Sequence, residues 1–143
     1  MATDLTTQLQ PGAALPKLDK GVLTQEQFNI FMDVYGRRGL NPIHSDKEYA
    51  QRRGFQDTLA PGVMAVGWLN ELLSRAAGGR HLRGGNLTVN FIGPMYPGNQ
   101  IFATGQVREH ENVEGGRRAI LDIWCEDETG RKVVAGTAVV PLA

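Results

Sequence analysis

The sequence predicts an α+β fold in which an antiparallel sheet wraps around one central apolar helix. Residues 63–73 are apolar on nearly every side of a helix, and from residue 87 onward the apolar spacing changes to a period of two. A helix without a polar face has to be covered by protein, so the strands that follow are expected to curl around it. A chain of 143 residues is long enough for one such core and too short for two, which predicts a single domain over residues 1–143.

The beginning of the chain predicts an arm followed by a helix. Residues 1–20 are polar and contain two prolines, which indicates an arm that ends in a short extended lead-in. A first helix is predicted from Thr24 to about Gly36, because residues 24–27 have the form of a capping box. Four residues share the spacing of one buried helical face: Phe28, Phe31, Met32 and Tyr35. Asp33 then lies on the opposite, solvated side.

A second helix and the central helix are predicted from their end signals. Residues 45–48, Ser-Asp-Lys-Glu, resemble another capping box, and Gly54 is expected to end the short helix that they begin. Residues 55–60 are predicted to form a loop. Pro61 lies where proline is tolerated, in the first turn of the apolar helix, and that helix is expected to stop at Gly78-Gly79.

The second half of the chain predicts an antiparallel meander of four strands. Residues 87–91 alternate between apolar and polar side chains, as a strand with one buried face does. Further strands are predicted over residues 101–109, 119–126 and 133–140, with turn-forming residues between them. Cys125 lies on the same side of its strand as its apolar neighbours and is interpreted as a small core residue.

Composition and charge exclude several classes of protein. Fifteen basic and fifteen acidic residues cancel, without a basic run, so nucleic acid is an unexpected partner. A single cysteine, Cys125, forms no intramolecular disulfide. Neither a secretory signal nor a stretch of membrane-spanning length is present, which predicts a cytoplasmic protein with no membrane association. We expect neither a metal ion nor a cofactor.

Two short motifs resemble those of a known family. The motif Asn41-Pro42-Ile43-His44-Ser45-Asp46, followed by Tyr49-Ala50, resembles the hydratase signature of the MaoC-like (R)-specific enoyl-CoA hydratases and dehydratases. Residues 60–64, Ala-Pro-Gly-Val-Met, are similar to the start of the central helix in that family. The resemblance covers residues 12–143. It implies a hot dog fold and a lyase that acts on a 2-enoyl or 3-hydroxyacyl thioester of coenzyme A or acyl carrier protein.

Physical chemistry gives two of these residues a role. Adding water across a 2-enoyl thioester builds negative charge on the thioester oxygen, which a hydrogen-bond donor must stabilise. The N–H of Gly62 lies free at the positive end of a helix, and the absence of a side chain lets a substrate approach. An imidazole exchanges protons near neutral pH, and the resemblance assigns the acid/base role to His44. The alternative is a purely structural role, in which Gly62 forms only a tight turn and His44 makes only a structural hydrogen bond.

The resemblance also suggests residues around this pair. Asn41, Gly39, Pro61 and Val63 are expected to contact the substrate. Asn70 is a polar residue on the apolar helix, eight residues after Gly62. It either orients water or substrate beside the catalytic pair, or hydrogen-bonds to the surrounding sheet, and these two alternatives stand about equal.

One departure from the family pattern changes the expected chemistry. Family hydratases carry an aspartate two residues before the asparagine of the motif, and this chain has Gly39 there. Three other aspartates are near in sequence but are unconvincing substitutes: Asp33, Asp46 and Asp57. The missing carboxylate leaves three hypotheses open. The protein is a hydratase or dehydratase, an altered lyase or isomerase on a specialised acyl or polyketide-like substrate, or a non-catalytic hot dog subunit that pairs with an active hydratase.

Further candidates carry less weight. Glu71 raises the possibility of a thioesterase, but it comes late in the central helix. Residues 37–38 are two arginines that either contact phosphate or carboxylate groups or are solvated surface residues. Ile120 and Trp124 alternate with the core residues of their strand and are predicted to face outward. Because such outer residues need cover, the chain is expected to form a homodimer or a higher homo-oligomer.

Overall fold

The computed structural model describes residues 8–36 and 39–142 of the chain. Along these residues the helices and strands follow one another as β1 (Leu18–Val22), α1 (Gln25–Val34), α2 (Lys47–Arg52), α3 (Gly62–Ala77), β2 (Asn86–Phe91), β3 (Gln100–Val113), β4 (Gly116–Glu126) and β5 (Lys132–Pro141). Single turns of 3₁₀ helix lie at Pro42–His44 and Arg80–Leu82. The element types agree with the α+β fold that the sequence predicts.

Helix α3 and the concave face of the sheet form the core. Five α3 residues are almost fully buried: Ala65, Leu69, Leu72, Leu73 and Ala77. They pack in one cluster with sheet residues such as Ile101, Leu121 and Ile123. Burying a leucine or isoleucine side chain contributes roughly 1.5–3 kcal/mol, so this contact dominates the stability of the fold. Cys125 belongs to the same cluster, and its burial raises the pKa of the thiol to about 12.

One face of α3 is left open within a single chain. Val63 is 41% exposed, Gly67 is exposed, and Val66 and Asn70 are half-buried, although they follow one another along one stripe of the helix. The single chain therefore leaves part of α3 without the protein cover that its apolar sequence predicts. The sheet wraps one side of the helix, and this open stripe remains.

The sheet is antiparallel, with the strand order β1-β3-β4-β5-β2. The predicted meander holds for β3, β4 and β5, but β2 pairs with β5 at the far edge. Eight residues, 92–99, connect β2 to β3, whereas tight hairpins use about two to five. The pairing needs Gly136, since a Cβ there would overlap the Thr88 carbonyl oxygen. Glycine at position 136 thus permits the close approach of the β2 and β5 backbones.

The N-terminal residues are more ordered than a free arm. Leu9 and Leu15 are buried in the core, and the Gly12 N–H donates to the Val107 carbonyl at 2.8 Å. The Val107 N–H in turn donates to the Ala13 carbonyl at 2.9 Å. Residues 8–17 therefore line the edge of β3 ahead of β1, and the prediction of an arm over residues 1–20 is wrong for this part. Residues 1–7 lie outside the described part of the chain.

Helix ends follow their capping signals with small corrections. Thr24 caps α1, and both halves of the predicted capping box with Gln27 are present. Helix α2 begins one residue later than predicted, because Asp46 accepts a hydrogen bond from the Tyr49 N–H and acts as the cap in place of Ser45. Pro61 is the residue before α3. Gly78 ends α3 in the left-handed conformation, as predicted.

Two predictions about individual side chains need correction. Tyr35 was expected on the buried face of α1 but is 55% exposed, because it lies beyond the last turn of the helix. Ile120 was expected to need cover from a partner but is only 6% exposed in the single chain. Trp124 is half-buried, with the Lys132 ammonium 4.1 Å from the centre of its ring. Ile120 and Trp124 are therefore both covered, wholly or in part, by the chain itself.

Two negative findings apply to residues 8–36 and 39–142. None of their helices combines the length and apolar character required to cross a membrane. No three of their histidine, cysteine, aspartate or glutamate side chains come together as a group that could hold a metal ion.

His81 is a buried imidazole without a hydrogen-bond partner. It lies in the 3₁₀ turn after α3, is 6% exposed, and neither ring nitrogen contacts a donor or acceptor among the described residues. Loss of solvent lowers the pKa of the imidazole below its ordinary value of 6.5. His81 therefore resists protonation in the folded chain.

This burial predicts a pH-dependent stability. Below about pH 6.5 the unfolded chain protonates His81 while the folded chain resists it, so the free energy of unfolding is expected to fall as the pH drops. Urea unfolding at about pH 8 and about pH 5.5 measures the difference. His81→Leu should make the two values converge. An equal loss of stability at low pH in wild type and variant would assign the effect to other groups.

Candidate active site

A cavity of about 570 Å³ lies between α1, the turn before α2 and the start of α3. This volume falls within the range of small-molecule sites, about 300–1,000 Å³. The cavity is lined by five of the seven sequence-predicted site residues: Asn41, His44, Pro61, Gly62 and Val63. The remaining lining residues are Met32, Tyr35, Leu40, Leu59, Ala60, Phe91, Gly93, Pro94, Met95 and Val134.

The Asn-Pro-Ile-His motif forms the turn that holds the histidine. Asn41 adopts an extended conformation, and its side-chain oxygen accepts a hydrogen bond from the Ile43 N–H at 3.3 Å. Pro42 is restricted to the φ that the first residue of a helical turn requires. His44 is the last residue of this single 3₁₀ turn, and it lines the cavity. The cap and the proline thus fix the backbone from which the imidazole projects.

The imidazole of His44 is oriented by one backbone carbonyl. Its Nδ1 lies 2.8 Å from the Leu59 carbonyl oxygen, and a carbonyl can only accept, so Nδ1 carries the proton. In the neutral imidazole, Nε2 then has a free lone pair. The Leu59 N–H donates back to the Ile43 carbonyl at 3.0 Å. These two bonds join the histidine turn to the loop before α3.

The start of α3 supplies a hydrogen-bond donor. Gly62 is the first residue of a helix of 16 residues, and its N–H has no acceptor among the described residues. Pro61 before it offers no side-chain cap. The positive end of the helix dipole and a free N–H therefore meet at the cavity. A Cβ at position 62 would lie 2.8 Å from the Phe91 ring, so glycine permits this close packing.

The walls of the cavity are apolar. Its most buried lining residues are Met32, Ala60, Pro61, Met95 and Val134, while Tyr35, Leu40, Val63 and Phe91 are exposed at its rim. Among the described lining residues there is no carboxylate, lysine or arginine. Methionines adapt their shape to a ligand more readily than branched residues do. This environment suits an uncharged apolar chain.

Gly39, where the family resemblance leads us to expect an aspartate, is next to the lining residue Leu40 but does not line the cavity. Gly39 has a φ of +78° and is exposed, and a Cβ at this position would meet no atom within 4 Å. Asp33 is exposed, Asp46 caps α2, and Asp57 accepts from the Thr58 N–H and pairs with Lys47. None of these aspartates lines the cavity.

Asn70 and Glu71 do not line the cavity either. The Asn70 amide donates to the Val66 carbonyl one turn earlier, at 2.9 Å, and the residue lies on the open stripe of α3. Glu71 accepts hydrogen bonds from Lys20 at 2.5 Å and from Arg75 at 2.7 Å, which lower its pKa. It is therefore an ion-paired carboxylate. The two arginines at positions 37–38 lie outside the described residues.

Several lining residues carry no signal in the sequence. Leu59, Phe91, Met95 and Val134 come from separate segments of the chain, and their apolar side chains look like ordinary core or strand residues. Met32 and Tyr35 follow helical spacing, so the sequence pattern assigns them to a buried face. Only the folded chain brings these residues to one cavity.

The wrapped helix, with a histidine turn placed beside its first residue, defines a hot dog fold protein with a small-molecule cavity. A family model described as MaoC like domain matches residues 8–122. The chain belongs to this MaoC-like family, as the two sequence motifs imply. It is also 29% identical over 128 residues to the mitochondrial 3-hydroxyacyl-[acyl-carrier-protein] dehydratase FERN of Solanum lycopersicum, with 85% of this chain and 74% of that protein covered.

Solved structures of known proteins share the fold. The (R)-hydratase from A. caviae involved in PHA biosynthesis matches with a TM-score of 0.74 and 22% identity, over 94% of this chain and 98% of that chain. The ChsH1-ChsH2 complex from Mycobacterium tuberculosis matches with a TM-score of 0.69 and 16% identity, over 92% of this chain and 95% of that chain. At these identities the likeness establishes the hot dog fold.

Proposed function

We propose that this protein is a hydro-lyase that hydrates a 2-enoyl thioester or dehydrates a 3-hydroxyacyl thioester carried by coenzyme A or acyl carrier protein. The observation that carries the proposal is the pairing of two groups in one apolar cavity. His44 offers a free Nε2 lone pair, and Gly62 offers an unpaired N–H at a helix start. An acyl thioester needs a base near its C2 atom and a donor at its carbonyl oxygen.

The two groups divide the reaction between them. In dehydration, the thioester oxygen accepts the Gly62 N–H, and His44 Nε2 removes the C2 proton to give an enolate. Collapse of the enolate breaks the C3–O bond, and the departing hydroxyl takes the proton back from the His44 imidazolium and leaves as water. Hydration is the reverse. All atoms and electrons balance without a cofactor, and Asn41, Pro61 and Val63 would contact the substrate around the reacting carbons.

The relatives support the proposed chemistry. The tomato protein is a dehydratase of 3-hydroxyacyl groups on acyl carrier protein, and the A. caviae protein is an (R)-hydratase. We further propose that residues 1–143 act as one domain, since residues 8–17, α1 and the sheet share a single core. A cytoplasmic location remains a prediction from the sequence alone.

A second candidate follows from the absence of a carboxylate among the described lining residues. With His44 as the single acid/base, the site suits reactions in which one group moves one proton, such as isomerisation of a double bond next to the thioester. Such chemistry would act on a specialised acyl or polyketide-like substrate.

A third candidate is a non-catalytic subunit beside an active hydratase, as the two-component ChsH1-ChsH2 complex suggests. The hydrogen bond that orients His44 weighs against it. A site without catalytic activity needs neither a fixed histidine tautomer nor a free N–H donor at Gly62. The leading proposal therefore remains an enzyme with an altered proton-transfer site.

Removing the imidazole tests the enzymatic proposal. His44→Ala should lower kcat for hydration of crotonyl-coenzyme A by about 10²–10⁴-fold, the usual contribution of a general acid/base. Loss of the enoyl absorbance measures the rate, and circular dichroism checks the fold. His110→Ala is the matched control, since His110 Nε2 contacts the Leu9 carbonyl and does not line the cavity. An unchanged kcat in His44→Ala would remove this residue from the mechanism.

Restoring the carboxylate separates the first two candidates. Gly39→Asp should raise hydration of crotonyl-coenzyme A if the site is a weakened hydratase. Position 39 has room for the side chain, and aspartate is among the residues that best tolerate its positive φ. Gly39→Ala controls for backbone strain, because it meets the same φ without adding a carboxylate. Lower activity in Gly39→Asp than in Gly39→Ala would favour one-histidine chemistry instead.

We also propose that two copies of the chain pair through the open stripe of α3. The stripe is mostly apolar and partly exposed, and Val63 belongs both to the stripe and to the rim of the cavity. Strand β2 next to it forms an edge with six regular residue pairs to β5 and no bulge. Strand β1 at the opposite edge is short and contains a register shift between Asp19 and Val22, which protects an edge from pairing.

The pairing predicts a particle of at least twice the chain mass of 15.6 kDa. Light scattering during size exclusion at micromolar concentration measures it. Gly67→Glu should produce a monomer, because the position is exposed on the stripe and a Cβ there meets no atom within 4 Å of the same chain. Val113→Glu, at the distal hairpin, should remain a dimer. An active wild-type monomer would contradict the proposal.

A further inference from the structure

The side chain of Gln25 joins α1, the histidine turn and the loop before α3. This residue is the first of α1 and is half-buried. Its Nε2 donates to the His44 carbonyl at 2.7 Å and to the Asn29 side-chain oxygen at 3.0 Å. Its Oε1 accepts from the Thr58 hydroxyl at 2.5 Å. Both amide hydrogens and one face of the amide oxygen are therefore used.

Two of the three contacts of this amide hold backbone groups that position His44, and the third orients the amide itself. The bond to the His44 carbonyl holds the backbone from which the imidazole projects. The bond from Thr58 holds the residue directly before Leu59, whose carbonyl accepts the His44 Nδ1 proton. Asn29 lies one turn along α1 and fixes the orientation of the Gln25 amide.

The burial of this network makes its contacts costly to lose. Thr58 is only 2% exposed, and a buried polar group that loses its partner cannot easily regain one from water. The capping box of α1 is satisfied by Thr24 and Gln27 alone. The Gln25 side chain is therefore not needed to cap the helix, and its bonds reach outward to the histidine turn and the loop before α3.

We propose that Gln25 is the positioning residue of the site, which fixes both the backbone of His44 and the carbonyl that sets its tautomer. It does not line the cavity and does not touch substrate. Without it, the imidazole can move relative to the Gly62 N–H and exchange its protonated nitrogen. Misplacement of a reacting group by about 1 Å can cost up to about 10²-fold in rate. The inference rests on the proposed role of His44.

A pair of isosteric variants tests the proposal. Gln25→Met keeps the length of the side chain and removes the amide, and it should lower kcat for crotonyl-coenzyme A hydration at least about tenfold while KM changes less than about twofold. Gln27→Met is the matched control, because it removes an amide from the same helical turn and weakens only the capping box. Its kcat should stay within about twofold of wild type.

A second arm keeps the test decisive if Gln25→Met fails to fold. Thr58→Val removes the hydroxyl at nearly constant volume and should lower kcat in the same way, whereas Thr58→Ser should recover most of the loss. Equal kcat in Gln25→Met and Gln27→Met, or in Thr58→Val and Thr58→Ser, would overturn the positioning role.

A spectroscopic readout separates this inference from the proposed function. In the wild type, the ¹⁵N signals of the His44 ring should show the proton on Nδ1, and Gln25→Met should show a mixture of the two tautomers. This measurement needs no substrate. If crotonyl-coenzyme A is not hydrated but the tautomer still depends on Gln25, the proposed function fails and the positioning role stands. A wild-type tautomer in Gln25→Met contradicts the positioning role whatever the activity.

Discussion

The burial of α3 against the sheet is the interaction on which the rest of the structure depends. Its leucines and alanines form the centre of the core, and the helix cannot slide without exposing them. The position of its first residue is therefore fixed by packing that lies far from the cavity. Because Pro61 provides no side-chain cap, the helix start keeps a free donor that a capped helix would have used internally. The same helix thus provides both the centre of the core and the free N–H of Gly62.

The position of the histidine turn depends on α3 indirectly, through the loop that precedes the helix. The loop before α3 ends at Pro61, so its backbone is anchored by the helix, and the Ala60 N–H also donates to the Met95 carbonyl at 2.8 Å. Leu59 in this loop exchanges hydrogen bonds with Ile43 and His44. The proposed base, His44, and the proposed donor, the Gly62 N–H, come from different segments of the chain and are held in one frame by these contacts. This arrangement is typical of sites in which geometry, rather than flexibility, provides the catalytic advantage.

Local patterns in the sequence were enough to predict the helices and strands and to select His44 and Gly62, which the fold brings to one cavity. The capping box at Thr24, the glycines after α3 and the motif around His44 each act over a few residues, so they can be recognised without the fold. The place of β2 beside β5 and the burial of Leu9 depend on contacts between distant segments. Gln25 was hidden for a different reason, since its position inside a capping box already accounted for a polar residue. Gly39 was recognised only as a departure, because no local rule tells what a missing side chain leaves behind.

The apolar wall contributed by α1 and the residues after it has a consequence for how the protein can change. Met32, Tyr35 and Leu40 lie outside the main core cluster, most of which belongs to the sheet and α3. Substitutions of these three residues can reshape the space offered to the proposed acyl chain while the scaffold keeps its stability. Selectivity and foldability are therefore encoded in largely separate parts of the sequence. A lineage built on this scaffold can diversify its substrates by small steps, without first passing through unstable intermediates.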